Sequence, residues 1–400
     1  MTNEKQQIYQ DFITAAAGGL EDYPQLMYMG VETCPYKQTI KDYPNYLSIK
    51  PDGKNLVSVP KADATFSPYP QIGQVPEIDE QGLKFLDQYI TEACICVSSF
   101  VEEQIKTKWL GRNALKNDEF WSTSKILPIV NLVSRLNINY PNINLDNCYI
   151  RGTNQQGVEN NYPFSDLVKD VVSYEESIGT SNSLGVMFKQ FYTQGEITDW
   201  VKSITGNYDL MFWGGYGEKP FIEQPELFDN TTQQVMLTST APNHRGDNKI
   251  SAYDLTRMMS LVGWHQHLPE TSKLPGVQWH NLESIVRALG TDPARYIDLA
   301  IAKLGLQEVI DYPVIISKLG NGATNVRNRT EAVYVALVQL VIPNPLKLEQ
   351  PAKLISLSMA IKGAKRLEPR DLDQEVVELD ASMAAEITEI LRRAVIGELI

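Results

Sequence analysis

Regular alternation of apolar and polar positions begins near Glu77. Ahead of it, residues 1–32 read as helix and loop, and 33–78 carry seven prolines, many beside tyrosine. Proline fixes φ and donates no hydrogen bond, so this stretch predicts an irregular, extended segment that wraps the main body. Residues 82–91 have the spacing of an amphipathic helix. Residues 93–101 and 105–110 are β-branched, cysteine- and aromatic-rich runs separated by a few residues, which predicts a hairpin. Residues 122–136 follow an Asp118-Glu119-Phe120 lead-in and are apolar at helical spacing. Residues 164–310 are mostly helical in pattern. Strands return at 313–318, 332–341 and 353–361, and an amphipathic helix at 380–396 closes the chain.

The order is two strands, a helical middle, three strands and a final helix. It predicts an α+β fold in which strands from both ends of the chain meet in one five-stranded antiparallel sheet flanked by helices. An all-helical lobe, about 122–310, is inserted beside that sheet. Two regions are therefore expected: an irregular proline-rich extension over 1–78 and a main domain over 79–400. A cleft between sheet and lobe is the natural place for a site.

Charge and composition narrow the function. The chain has 400 residues and a net charge of −13, which disfavours nucleic-acid binding because that rests on lysine and arginine neutralising phosphates. No apolar run is long enough to span a bilayer as a helix. No apolar segment of signal-peptide length follows Met1, so the chain as written predicts no export by that route, although an exported protein given a new Met would look the same. Cys94 and Cys96 alternate on one strand and should both face the core. With Cys34 and Cys148 isolated, free thiols are expected, and no zinc spacing is present. His265-Gln266-His267 puts two histidines on different helix faces with no third ligand, which favours a helix-end role over a metal. Gly214-Gly215-Tyr216-Gly217 lacks the strand–helix context of a phosphate loop and reads as a turn near the cleft, with the aromatic residues of 208–216 as groove or core. No cofactor is expected.

Three short motifs carry the chemistry. Ser122-Thr123-Ser124-Lys125 is an S-x-x-K at the start of an apolar helix. A Ser and a Lys three residues apart share a helix face, and a buried lysine of lowered pKa can take the serine proton. Taken alone, Ser122 reads more readily as an N-cap with Lys125 solvated. A second copy, Ser58-Val59-Pro60-Lys61, lies in the proline-rich segment, where it cannot open a helix. Thr180-Ser181-Asn182 is an S/T-x-N that reads by itself as a polar interhelical loop, and Ser183 allows its register to slip. Lys318-Leu319-Gly320 is a K-x-G on a late strand, where glycine admits close backbone approach.

In this order and context the chain resembles the class A β-lactamase and low-molecular-weight penicillin-binding superfamily, from about Gly82 to Ile400. The Phe120-Trp121-Ser122 entry, the helix beginning Phe164-Ser165-Asp166 and the helix beginning Ile250-Ser251-Ala252 are similar to that family. The resemblance implies Ser122 as nucleophile and Lys125 as its base. It implies Thr180 as proton shuttle, Asn182 as contact to a substrate amide and the lysine, and Ser181 and Gly320 beside the substrate. Lys318 would be an electrostatic anchor. The family has a hydroxyl residue where Leu319 stands, and Leu319 donates no hydrogen bond to a carboxylate. Arg327 or Arg329 would anchor one instead, or simply belong to a solvated hairpin turn. Gln224-Pro225-Glu226-Leu227 looks like the family's Glu-Pro-Glu-Leu with Gln in place of the general base, so an acyl-enzyme would persist.

The expected function is a serine acyl-enzyme hydrolase whose partner is a small-molecule or peptide substrate in a cleft, a β-lactam or a related amide or ester. The alternative is a catalytically inactive binding or scaffold protein of the same fold. An amidase such as a glutaminase, also built on S-x-x-K, is a third reading.

Overall fold

The computed structural model describes residues 3–17, 26–59, 65–101, 104–154, 156–240, 244, 246–343 and 350–400. Five long strands form the spine of a sheet. They are β1 (Ile90–Val101), β2 (Gln104–Arg112), β3 (Asp311–Thr324), β4 (Arg329–Ile342) and β5 (Ala352–Lys365), all paired antiparallel in the order β3-β4-β5-β1-β2. Strands from both ends of the chain do meet in one sheet, as the pattern predicts.

The sheet is larger than five strands. Three short pieces of the proline-rich segment complete an eight-stranded sheet. Leu56–Val59 runs parallel to β5, Ser67–Pro68 antiparallel to β2, and Ile78–Asp79 parallel to β2. Residues that cannot hold a regular strand of their own can still add two to four rungs to an existing edge, which also shields that edge from other chains.

Both faces of the sheet are covered. On β4, Val333, Val335 and Leu337 enter one core while Tyr334, Ala336 and Val338 enter the other, as the two-residue period requires. A helix at Ala252–Gly263 packs on β1, β4 and β5. The C-terminal helix, Leu372–Ile396, packs on β4 and β5 together with Asn3–Ala17 and Tyr296–Lys303. It begins eight residues before the periodic run that marks it in the sequence.

Two expectations are corrected. Residues 82–91 form turns leading into β1 rather than a helix. Leu83, Leu86 and Ile90 are buried at helical spacing, but the Arg112 guanidinium takes the carbonyls of Leu83, Leu86, Asp87 and Ile90. Those carbonyls are then occupied by a side chain instead of a helical ladder. The lobe is also not all-helical. Cys148–Thr153, Glu159–Pro163, Glu226–Asp229 and Gln234–Thr238 form a four-stranded antiparallel sheet within it. Each strand has four to six residues, too few for alternation to stand out among polar neighbours. All four cysteines are buried and free.

The buried Asp380 carboxylate ties the C-terminal helix to the N-terminal region, accepting from Leu26 N (2.9 Å), Met27 N (3.3 Å) and Tyr296 Oη (2.6 Å). Burial pushes its pKa up to about 7. The folded state keeps a proton that the unfolded chain releases near pH 4, so this stabilisation is full below about pH 4 and is lost as pH rises through about 7. Asp380→Asn, which retains an acceptor for the two amides, should flatten the fall in melting temperature across that window. An unchanged slope in thermal unfolding from about pH 4 to 7 would contradict this.

Candidate functional site

The cleft between β3 and the lobe holds a cavity of about 440 Å³ lined by Tyr28, Glu119, Trp121, Ser122, Tyr174, Asn182, Tyr216, Asp247, Asn248 and Asn321, with Gly215, Gly217 and Gly246. A larger cavity of about 530 Å³ lies between the proline-rich segment and β2, but none of the motif residues lines it. The chemistry therefore points to the smaller one.

Ser122 and Lys125 lie on a 3₁₀ turn, Trp121–Lys125, that runs into the helix α1 (Ile126–Asn139). With three residues per turn, positions i and i+3 eclipse, which sets Lys125 directly over Ser122. The turn is pinned from both sides. The Glu119 carboxylate accepts Trp121 N (3.0 Å) and Asn248 N (2.9 Å), joining the Ser122 turn to the opposite lip of the cleft. Burial raises the Glu119 pKa, and these two amides oppose that rise. Trp121 has φ +48° and Tyr174 φ +57°. Left-handed backbone at two aromatic residues is strain that the surroundings must hold, and both residues line the same cavity.

Lys125 is fully buried. Its Nζ donates to Ser181 Oγ (2.9 Å) and Asn182 Oδ1 (2.7 Å), both at the start of the helix α2 (Ser181–Lys189). Ser181 Oγ in turn donates to Val171 O (2.7 Å). The Lys125 stem has room because Gly185 faces it. A Cβ there would stand 3.1 Å from the lysine methylenes. The Lys125 pKa is driven well below the ordinary lysine value, first by burial and then by the charges of Lys318 and Lys189, with Glu218 opposing. Among the described residues no hydrogen bond joins Lys125 to Ser122.

The sequence-predicted residues divide. Ser122, Lys125, Ser181, Asn182 and Gly320 come together. Thr180 does not reach the lysine: it caps α2, accepting from Ser183 N (3.1 Å), and its hydroxyl also contacts the Glu218 carboxylate. Lys318 is fully buried behind the cavity wall, with Nζ 3.7 Å from the centre of the Tyr174 ring and bonded to Leu319 O (3.3 Å). Buried Asp292 lies beside it, accepting from Ser317 Oγ (2.9 Å) and Leu319 N (3.0 Å). Burial pushes both members of this pair toward their neutral forms. The Leu319 side chain belongs to the core on the far face of the sheet. Gly320 is the point of closest approach, since a Cβ on it would stand 2.8 Å from Ser122 N.

The remaining candidates are held elsewhere. Arg327 and Arg329 are bound by Glu331, and Arg329 also by Asp118. Glu226 lies on a lobe strand paired with Arg151 (3.1 Å), so Gln224-Pro225-Glu226-Leu227 is not at this cavity. His265 and His267 are buried and bond to the carbonyls of Val277 and Leu47.

Several site residues have no motif in the sequence. Tyr174 caps Lys318, and its hydroxyl donates to Leu319 O (2.8 Å). Tyr28 donates to Asn321 Oδ1 (2.6 Å) and stacks edge-on against Tyr174. Tyr216 Oη is 3.0 Å from Ser124 Oγ. Lys189 is fully buried, with Nζ 4.0 Å from the Tyr216 ring centre, and it bonds to Gly214 O and to Asn248 Oδ1 (3.2 Å). Burial drives its pKa well down. The glycine-rich loop around Tyr216 is thus a wall of the cavity. Its one usable sequence signal was an aromatic set among glycines.

Scanned against protein-family models and compared with curated protein sequences, the chain matches none. Among solved structures it is similar to a beta-lactamase from Streptosporangium roseum, at 12% identity over 78% of this chain and 98% of that one, with a TM-score of 0.42. It is also similar to a peptidoglycan synthetase from Bifidobacterium adolescentis, at 10% identity over 78% of this chain and 59% of that one, with a TM-score of 0.33.

Gly320→Ala tests the close approach. With a Cβ 2.8 Å from Ser122 N, the Ser122 turn must shift. A displacement of about 1 Å typically costs about 100-fold in rate. If Ser122 reacts with a fluorophosphonate, the variant should do so about 100-fold more slowly while melting within a few degrees of the parent. Parent-like labelling would show that the contact does not position the serine.

Proposed function

We propose that the chain is a serine acyl-enzyme hydrolase resembling β-lactamases and penicillin-binding proteins, with residues 79–400 as its acyl-transfer domain and Ser122 as nucleophile. The observation that carries this reading is the setting of Lys125. A neutral amine has two N–H bonds and one lone pair. Ser181 Oγ and Asn182 Oδ1 take the two N–H bonds, and the lone pair remains to accept a proton. Burial supplies the reason for the amine to give up its proton far more readily than an ordinary lysine.

In the acylation step Ser122 Oγ attacks the substrate carbonyl carbon and its proton passes to Lys125 Nζ. The tetrahedral oxyanion collapses and the bond to the leaving group breaks. The proton returns from Lys125, which Ser181 holds where Thr180 does not, to the leaving group. The Ser122 N–H, packed against Gly320 on β3, is one candidate oxyanion donor. Hydrolysis of the ester by water then restores Ser122. Gln224 and Glu226 stand away from the cavity, so the water-activating group expected from the resemblance is missing and the acyl-enzyme should be long-lived.

A second reading is favoured by one observation. No hydrogen bond joins Lys125 to Ser122 among the described residues, as would suit a binding module that keeps the fold without the chemistry.

Intact-mass spectrometry with a fluorophosphonate and with a 4-nitrophenyl ester separates the two. A single adduct on the parent, none on Ser122→Ala, and labelling slowed about 10²–10⁴-fold in Lys125→Met are expected. The base works deprotonated, so the labelling rate should rise with pH and level off well below the lysine range near 10.4. Equal labelling of parent and Ser122→Ala would overturn the assignment, and no labelling of either would favour the binding module.

A further inference from the structure

We infer that the cleft takes uncharged acyl donors bearing an aromatic ring, and rejects those carrying a carboxylate. The inference rests on the reading of Ser122 as nucleophile and narrows its substrate class.

The lining of the cavity holds two carboxylates, Glu119 and Asp247, and among the described residues neither lysine nor arginine. Asp247 pairs with Lys249 on the rim at 3.3 Å. Every cation that the sequence offers as an anchor is already engaged. Lys318 sits under the Tyr174 ring with its amine on the Leu319 carbonyl. Arg327 and Arg329 are held by Glu331, whose carboxylate also accepts the Trp121 indole N–H at 2.9 Å. Lys125 and Lys189 are buried and bonded to protein acceptors.

A substrate carboxylate brought into this space would lose its water without gaining a partner cation, and it would meet like charge. The four aromatic residues of the lining, Tyr28, Trp121, Tyr174 and Tyr216, offer instead flat apolar surface and ring faces that attract positive rather than negative charge. Phenol and amide groups of Tyr28, Asn182, Asn248 and Asn321 are uncharged and suit a neutral polar group.

The test compares 4-nitrophenyl hexanoate with the 4-nitrophenyl monoester of adipic acid. Their chains match in length, and a terminal methyl in one is a carboxylate in the other. The full chain is used, so Arg245, which lies outside the described residues, is part of the measurement. The parent should show kcat/KM or acylation rate at least about tenfold higher for the hexanoate, with both reactions abolished in Ser122→Ala. Asp247→Asn, an exposed change, should shrink that ratio. A ratio near one, or in favour of the adipate, with both reactions still Ser122-dependent, would overturn the inference and leave the nucleophile assignment standing. A ratio unchanged by Asp247→Asn would overturn the part played by that carboxylate. Loss of Ser122 dependence for both esters would overturn the nucleophile assignment, and the inference with it.

Discussion

An ammonium group taken out of water and given only neutral acceptors is the constraint on which the cleft depends. Lys125 is buried between a 3₁₀ turn, the start of α2 and two aromatic rings, with its Nζ 5.7 Å from the Tyr174 ring centre and 5.1 Å from that of Tyr216. Keeping it charged there is costly, and losing its proton is the cheaper response. The neighbouring architecture follows from that cost. Gly185 leaves room for the lysine stem, Thr180 caps the helix so that Ser181 and Asn182 face inward, and Val171 O orients the Ser181 hydroxyl.

Two further buried lysines repeat the theme. Lys318 and Lys189 stand behind the cavity walls, each against a tyrosine ring that lines the cavity. Whenever either carries its proton, its charge adds to burial in lowering the Lys125 pKa. A wall built this way keeps its amines behind tyrosine rings, so that among the described residues no lysine lines the cavity. Strained backbone at Trp121 and Tyr174 is tolerated because Glu119 holds one and the contacts with Lys318 and Leu319 hold the other.

The long sheet strands were legible as apolar runs because both their faces are buried, the helix at Leu372–Ile396 because its period shows, and the helix at Ala252–Gly263, buried all round, only through the family resemblance. The stretch before β1 was not. Leu83, Leu86 and Ile90 are spaced like a helix, and only the distant Arg112 guanidinium shows why their carbonyls are spent otherwise. The lobe strands escaped because they are short and half-exposed. At the site, Ser122, Lys125, Asn182 and Gly320 could be found by motif. That Ser181 rather than Thr180 meets the lysine depends on where the helix starts, which one cap hydroxyl decides. Tyr28, Tyr174 and Tyr216 carry no motif and reach the cleft only through long-range packing.

The protonation state of Lys125 is the most direct test. The ε-carbon resonances of lysine can be followed against pH in a ¹³C-labelled sample, with Lys125 assigned by the signal that Lys125→Arg removes. A midpoint well below the ordinary value near 10.4 is predicted, with the amine neutral where Ser122 would react. A midpoint at the ordinary lysine value would contradict the role proposed for Lys125 as base to Ser122.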